Sequence, residues 1–583
     1  MMRRSAPGRG AALGAALALA AGAVAAQTPP AVLPAGVDPA RAPREALPPA
    51  PPPGAPAAGP AVPAPAPGTP PPGAERVRFR LAELVIEGVT AYPPEALRPL
   101  YARFLGQEIS VAELFAIAEA ITGRYRADGY LISRALVPAQ RIEAGVARLQ
   151  VIEGHIAEVT LEGAADEALR RRAARAVEGA RPLTVERLER ALLLLNDLPG
   201  VTAQGVIEPA PAGPVGAARL TVAAESRRAW EGFVALDNRG SRYVGPFQAT
   251  IGGSVSSVIT AYDRVAFRAI GASPLSELRF LELGYEAPLG PDGWTVFGSL
   301  YGSRSEPGFT LAPLDTRGRS EGLAIGLAYP ILRTRAENLR VSAAFTPYNS
   351  SNELLGRRDL TPAYEDDIRP VRVGLTYDLA DRFQGLNYLQ LELSQGIEAL
   401  GASAEGRPNP SRPGARTRFT RGLFEASRLQ GLDWLAPGLG LFLAARGQWS
   451  FGAPLVAFEQ FGLGGARFGR GYDPSEIAGD NGIAGLVELR WSANAPPQRL
   501  TLGRPLTVQP YLFFDAGVVT AARSAVASQS LASAGLGLRL WLGDALAAGI
   551  ELAKPLTRSV AAEVLAGESG NDPRLFFSTV LRF

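Results

Sequence analysis

The sequence predicts an all-β transmembrane barrel of about sixteen antiparallel strands, preceded by two small α+β domains. Three observations lead there. From about Trp230 to Phe583 apolar and polar residues alternate with a period of two. Between residues 77 and 226 one order of strand-like and helix-like segments occurs twice. The chain opens like a secreted protein.

The opening MMRRSAPGRGAALGAALALAAGAVAAQ has a basic start (Arg3, Arg4, Arg9), an apolar run from Ala11 to Ala23 and small residues before Gln27. Residues 1–26 are therefore expected to be a cleavable secretory signal. No later run reaches the roughly eighteen apolar residues a membrane-spanning helix needs. The 583 residues include no cysteine, which excludes disulfides and thiolate metal sites. With 59 basic against 56 acidic side chains, the chain is not a nucleic-acid-binding polycation. Residues 27–76 are Pro/Ala-rich and offer almost nothing large to bury, so an extended, semi-rigid tether is expected.

The first small domain is expected over residues 77–153. Strand-like VRFRLAELVIEG precedes PPEALRPLYARFLG, where Pro93 and Pro94 suit a helix start. Ser110 and Glu113 form a capping box, and Leu114, Ile117, Ala118, Ile121 and Tyr125 follow at helical spacing. LISRALVPAQ and VARLQVIEG read as strands. The order returns over residues 154–226: strand IAEVTLEG, helix ADEALRRRAARAVEG, then VERLERALLLLNDLPG capped by Thr184 and stopped at Pro199-Gly200, then strands GVIEPA and ARLTVAAE.

The barrel is expected over residues 229–583. In LELGYEAPL, Leu281, Leu283 and Tyr285 face one way; in LVELRW, Val487, Leu489 and Trp491 oppose Glu488 and Arg490. Leu536, Leu538, Leu540 and Leu542 share a face, as do Phe577, Leu581 and the carboxy-terminal Phe583. A soluble sandwich also alternates, but long Gly/Asp/Arg/Ser loops alternating with short turns suit a barrel with two unlike ends. In lipid the sheet must close. About 350 residues at roughly 20 per strand and connection allow some sixteen strands.

GGARFGRGYDPSEIAGDNGIAG, residues 464–485, places Arg470 among glycines. Alone it reads as loop punctuation. In a narrow polar lumen, however, an arginine needs a counter-ion, and a fork meeting a carboxylate satisfies both. Gly318-Arg319-Ser320-Glu321-Gly322 matches a nucleophile-elbow pattern. The only histidine, His155, falls between the small domains and is expected to be a solvated linker residue, leaving Ser320 without a base. No enzyme, metal or cofactor is expected; Asp473, Glu476 and Asp480 lack calcium-loop spacing and read as hydrated loop acids.

Taken in order, these parts resemble the two-partner secretion transporters, the haemolysin secretion/activation family, over about residues 79–583. The small domains resemble POTRA (polypeptide-transport-associated) modules. GRYRADGYLISRALVPAQRIEAG is similar to the family signature at Tyr125, Gly129, Tyr130, Pro138, Gln140, Ile142 and Gly145, while LLLLNDLPGV and VALDNRGSRYVGP resemble family segments in the second module and first barrel strand. The resemblance implies that a loop at about 462–485 folds back into the lumen with its tip at Arg470, Gly471 and Tyr472. Gly469 departs from the bulky residue usual there. The partner implied is Asp515, in a strand motif with Phe513 and Gly517; Glu488 is a second candidate.

The resemblance further implies an outer-membrane pore whose periplasmic POTRA domains recognise an unfolded partner exoprotein, typically a large adhesin or haemolysin. Outer-membrane lipid and the barrel assembly machinery would be its other partners, with no nucleic acid and no nucleotide. The alternative is an assembly factor of the same superfamily that inserts barrels into the membrane; such factors usually have more POTRA units than two. Many family members carry an amino-terminal plug helix. Residues 28–75 show no amphipathic pattern, so a helical plug is not expected and deleting them is expected to change conductance little.

Overall fold

The computed structural model describes residues 35–38, 41, 69–163, 166–177, 179–210, 213–226, 228–359, 363–496, 503–523 and 527–583. The expected signal, residues 1–26, and most of the Pro/Ala tract lie outside the described residues.

The first small domain packs one long helix on a three-stranded sheet. Val111–Ala127 starts at Ser110, whose hydroxyl accepts from the Glu113 N–H while Glu113 returns a bond to the Ser110 N–H. Its buried stripe of Leu114, Ile117, Ala118, Ile121 and Tyr125 meets Leu84, Ala147 and Leu149. Glu83–Glu87 runs parallel to Val146–Ile152, which pairs antiparallel with Arg134–Leu136. Two expectations fail locally. VRFRLAELVIEG is not one strand, because Arg78–Arg80 pairs instead with Glu108–Ser110 and the fully buried Leu81 marks the break. The stretch after Pro93 forms three short 3-10 turns, Pro94–Ala96, Arg98–Leu100 and Ala102–Phe104, instead of an α-helix. Pro99 removes an amide donor and disfavours the α conformation of the residue before it.

The second domain repeats the sheet order: His155–Gly163 lies parallel to Ala217–Ser226, which pairs antiparallel with Val201–Pro209. Helices Glu167–Val177 and Val185–Asn196 cover it through Leu169, Ala173, Leu188, Leu192 and Leu195. Asn196 stitches helix to sheet, donating to Ala203 O and accepting from Ala203 N. His155 is not a solvated linker residue. It starts the first strand, is 7% exposed, and burial followed by the nearby Arg181 lowers its pKa.

From Trp230 onward the chain closes on itself. Glu337–Phe345 with Tyr348–Glu353, Tyr364–Ile368 with Pro370–Ala380, and Asn481–Trp491 with Ala493–Ala495 each act as one interrupted strand, which gives sixteen strands in a closed antiparallel barrel. Trp230–Asp237 and Arg574–Arg582 form the seam, in register from Phe233 with Arg582 to Asp237 with Ser578. Gly232 and Phe583 extend it with reciprocal 3.0 Å backbone bonds. The outward residues are greasy and bare: Leu281 is 52% exposed, Leu300 59%, Leu489 42% and Leu581 50%. Their neighbours along each strand turn inward and are polar, as at Gln248, Thr250, Ser303, Glu488 and Glu551. Only a lipid surround makes that inversion favourable.

The second domain sits under the end with short turns. Arg333 grips Asp197 through two bonds of 2.6 and 2.8 Å, and Arg335 pairs with Glu189 at 2.9 Å. Arg190 donates to Pro330 O at 2.7 Å, and Tyr262 donates to Asp166 at 2.7 Å. The long loops, 397–419 and 450–480 among them, stand at the opposite end.

Candidate functional site

Between Leu439–Trp449 and Asn481–Trp491 the chain folds back inside the barrel. Its limbs, Phe461–Leu463 and Ile477–Gly479, pair with each other and lie on the strand Leu506–Thr520. Gly517 makes room for this: a Cβ there would stand 2.6 Å from Leu463 Cδ1. The tip turns at Gly469, with Tyr472 N donating to Gly469 O.

Arg470 projects from that tip and is 6% exposed. Its Nη1 donates to Glu488 Oε2 at 2.7 Å and to Glu551 Oε2 at 3.1 Å, and its guanidinium lies 4.6 Å from the centre of the Phe513 ring. The sequence-expected partner Asp515 does a different job. It accepts from the Arg470 backbone N–H at 3.2 Å and from Ser533 Oγ at 2.5 Å, while Ser533 Oγ accepts from Gly471 N at 3.1 Å. Asp515 lies under the tip's backbone, whereas the extended Arg470 side chain reaches past it to Glu488, the cross-strand neighbour of Phe513, and to Glu551. Glu488 is shared, since Arg539 forks onto it at 2.6 and 3.0 Å and Arg490 also pairs with it. Glu551 is shared with Arg239 at 2.8 Å and accepts from Tyr511 at 2.7 Å. Four arginines thus meet around two buried glutamates, where loss of one partner of a buried pair costs about 3–5 kcal/mol.

The residues beside Arg470 fit tightly. Gly469 has φ +76°, a conformation glycine adopts freely, and Leu531 fills the space where a side chain would lie. The departure from a bulky residue at this position therefore follows the backbone. At Gly471 a Cβ would come 2.8 Å from Pro555 N, so only glycine lets the tip touch the wall. Tyr472 is 1% exposed; its hydroxyl donates to Ala532 O at 3.0 Å and accepts from Thr557 N and Arg558 N at 3.3 Å.

Of the loop's acids, Asp473 and Asp480 are buried and Glu476 is partly buried, so the expectation of hydrated loop acids fails for the first two. Asp473 pairs with Arg574 at 2.6 Å, Glu476 accepts from Ala561 N at 2.7 Å, and the fully buried Asp480 binds Arg412 and the Leu455 and Ala522 amides. A second knot holds the loop's base: buried Glu459 meets both Arg372 and Arg421, which also share Glu392. Glu551, Arg539, Glu459 and Arg372 were missed by sequence reasoning. Glu551, Arg539 and Arg372 each stand between outward apolar neighbours on a strand, as Glu551 does between Ile550 and Leu552, a pattern that marks a lumen charge without saying which partner it meets; Glu459 lies in the short turn Ala457–Glu459 of the loop and carries no such mark.

The tether also reaches the lumen. Ala35–Val37 form one 3-10 turn, Val37 packs with Tyr243, Val244 and Ala562 among the long loops, and Gly36 lies against Pro474 of the inward loop. Arg41 donates to Ala457 O at 2.6 Å, to Gln460 O at 2.7 Å and to Ser475 Oγ at 3.2 Å. Asp38 accepts from Tyr364 at 3.3 Å. The inward loop therefore shares its place with the Pro/Ala tract, which the sequence does not lead one to expect. No amphipathic helix is needed, because the seat is made by backbone carbonyls that a single arginine satisfies. Ser320 lies mid-strand, facing the lumen, with no helix after it.

Residues 216–540 match the family model described as haemolysin secretion/activation protein ShlB/FhaC/HecB. The chain belongs to that family. Residues 79–154 match the POTRA domain of ShlB type. Over 478 residues the chain is 23% identical to the heme/hemopexin transporter protein HuxB of Haemophilus influenzae, covering 80% of this chain and 81% of the relative. The outer membrane transporter CdiB of Dickeya dadantii is 24% identical over 420 residues, 71% of this chain and 73% of that one. The solved structure of CdiB from Escherichia coli superposes with a TM-score of 0.68 at 20% identity, over 88% of this chain and 92% of that chain.

As a member of the haemolysin secretion/activation family, the protein is a two-partner secretion transporter of the bacterial outer membrane, with its POTRA region in the periplasm. The long loops, opposite the POTRA region, therefore face the cell exterior. The POTRA signature builds the module's frame. Tyr125 donates to Glu153 at 2.7 Å, and Glu153 also accepts from Thr90 and Ala91 N–H groups at 2.8 Å and from the Thr90 hydroxyl. Burial pushes the Glu153 carboxyl up, but these four donors outweigh it and its pKa is lowered. The Tyr125 ring lies edge-on to Tyr92 and Tyr130, at 4.8 and 5.6 Å. Burial, then the bond to Asp128, pushes the Tyr92 hydroxyl up to about 12. Gln140, after Pro138, clamps Arg148 from both sides at 2.7 Å. Gly145 has φ +76° and comes so near Arg80 O that a Cβ would stand 2.4 Å away, while Gly129 O accepts from Val185 N and joins the two modules.

Proposed function

We propose that this transporter exports one large partner exoprotein in extended form, admitted by the POTRA modules and passed through the barrel once the inward loop and the Ala35–Arg41 segment have moved aside. The observation that carries this reading is how the obstruction is held. Beside apolar contacts such as Leu463 and Tyr472 on Phe513 and Leu531, both segments are anchored by polar ones, Arg470 on Glu488 and Glu551 and Arg41 on Ala457 O and Gln460 O, and these exchange for water or for a passing polypeptide backbone more readily than a wholly apolar plug would. The edge strands Glu83–Glu87 and Val201–Pro209 leave one side unpaired among the described residues, where an unfolded client can add a strand without a fixed sequence. No reaction is assigned to the chain. Folding of the client outside supplies the direction of transport.

Quantitative proteomics of culture supernatant and outer membrane in a strain lacking the gene tests the reading. Loss of one large secreted protein with barrel proteins unchanged is expected. An unchanged supernatant would sink it, and depleted barrel proteins would favour membrane assembly instead.

A further inference from the structure

Three adjacent strands place arginines side by side on the barrel's outer face. Arg279 is the cross-strand partner of Arg304, and Arg304 that of Arg319. All three are exposed, and with strands about 4.8 Å apart the row spans about 10 Å. Like charges directly opposite on a sheet are destabilising, so a bare row needs a counter-charge. The chain supplies one: Arg319 meets Glu321 at 2.9 Å. Arg279 donates to a carbonyl, Leu275 O, at 2.9 Å, and among the described residues neither Arg279 nor Arg304 forms an ion pair. A local excess of two positive charges is left.

Their height on the barrel identifies what neutralises them. Two to four residues farther along the same strands, on the same face, stand Leu281, Leu300 and Leu323, at 52%, 59% and 38% exposure. The arginines therefore lie just beyond the acyl-chain band, at the end opposite the POTRA modules. We propose that Arg279, Arg304 and Arg319 bind the phosphate groups of an outer-leaflet glycolipid whose acyl chains lie on that leucine face. Guanidinium forks suit phosphate oxygens, and a row on three hydrogen-bonded strands holds them at fixed spacing.

Native mass spectrometry of the full chain in detergent tests this, with three probes: a bis-phosphorylated diglucosamine glycolipid, the same glycolipid without phosphates, and inorganic phosphate. The bis-phosphorylated lipid is expected to be retained, and its occupancy to fall at least about tenfold on removal of its phosphates or in the triple variant Arg279→Gln/Arg304→Gln/Arg319→Gln. Arg304→Gln alone, which removes one exposed side chain, gives the same direction should the triple variant fail to fold, as judged by heat-modifiable gel mobility. Equal retention of the phosphate-free lipid, unchanged occupancy in the variants, or displacement of the lipid by millimolar inorganic phosphate would overturn the assignment, the last in favour of a soluble anion.

Discussion

Arg470 and Glu488 form one ion pair, yet their removal has unequal consequences. Arg470→Gln leaves Glu488 with Arg539 and Arg490, and Glu551 with Arg239. Glu488→Gln leaves Arg470 with Glu551 alone and strands Arg539 and Arg490 against a neutral amide, and buried unpaired charge is the costlier defect, at about 3–5 kcal/mol. With no native cysteine, Ala466→Cys is a unique reporter of the loop tip. Maleimide labelling is expected to accelerate more in Glu488→Gln than in Arg470→Gln; the reverse order would refute the sharing. Gly469→Val, which installs a bulky residue at φ +76° against Leu531, is expected to speed labelling too, and Leu531→Ala to rescue it only partly because the backbone strain of about 1 kcal/mol or more persists. At this scale Arg470 is legible in the sequence because it stands among glycines in a loop, and Glu488 because it faces away from the apolar residues of an alternating strand. Asp515 was assigned to the wrong part of Arg470, since spacing along a strand does not tell whether a carboxylate meets a side chain or an amide.

Among the elements, the Pro/Ala tether departs most from its reading. Composition shows that it builds no core, but a seat of three acceptors for Arg41 leaves no periodicity to detect. Deletion of residues 28–68 is expected to raise open probability in planar bilayers several-fold, and Arg41→Ala to reproduce much of the rise; an unchanged conductance would show that the segment does not obstruct. The first POTRA module was legible in its capping box and helical stripe, and illegible where Pro99 breaks the stretch before it. Its tyrosine cluster gives a pH signature. A raised hydroxyl pKa means that the Tyr92 contribution is complete below the unfolded value of about 10 and is lost as pH climbs through about 12. Ultraviolet titration is expected to show a late tyrosinate step that Tyr92→Phe removes. For Glu153 the sign is opposite: its depressed pKa stabilises above the ordinary carboxylate value of about 4.3, and the contribution fades as acid passes the folded value.

For the whole molecule, the period-two pattern fixed which residues meet lipid, but not how the POTRA region seats on the barrel, because Arg333 and Asp197 look like ordinary surface charges until the turns bring them together. Asp197→Arg is expected to loosen that seat and speed proteolysis between residues 210 and 230, and Arg333→Asp added to it to restore protection; no restoration would mean the pair does not set the geometry. The seam joins the first strand, Trp230–Asp237, to the last, Arg574–Arg582, and its final rungs use Phe583 itself. The cylinder therefore cannot shut until Arg574–Arg582 has met Trp230–Asp237, the strand farthest from it along the barrel sequence. Until that meeting both strands present a bare row of backbone donors and acceptors, so the two ends of the sheet are the last backbone groups in the cylinder to be satisfied.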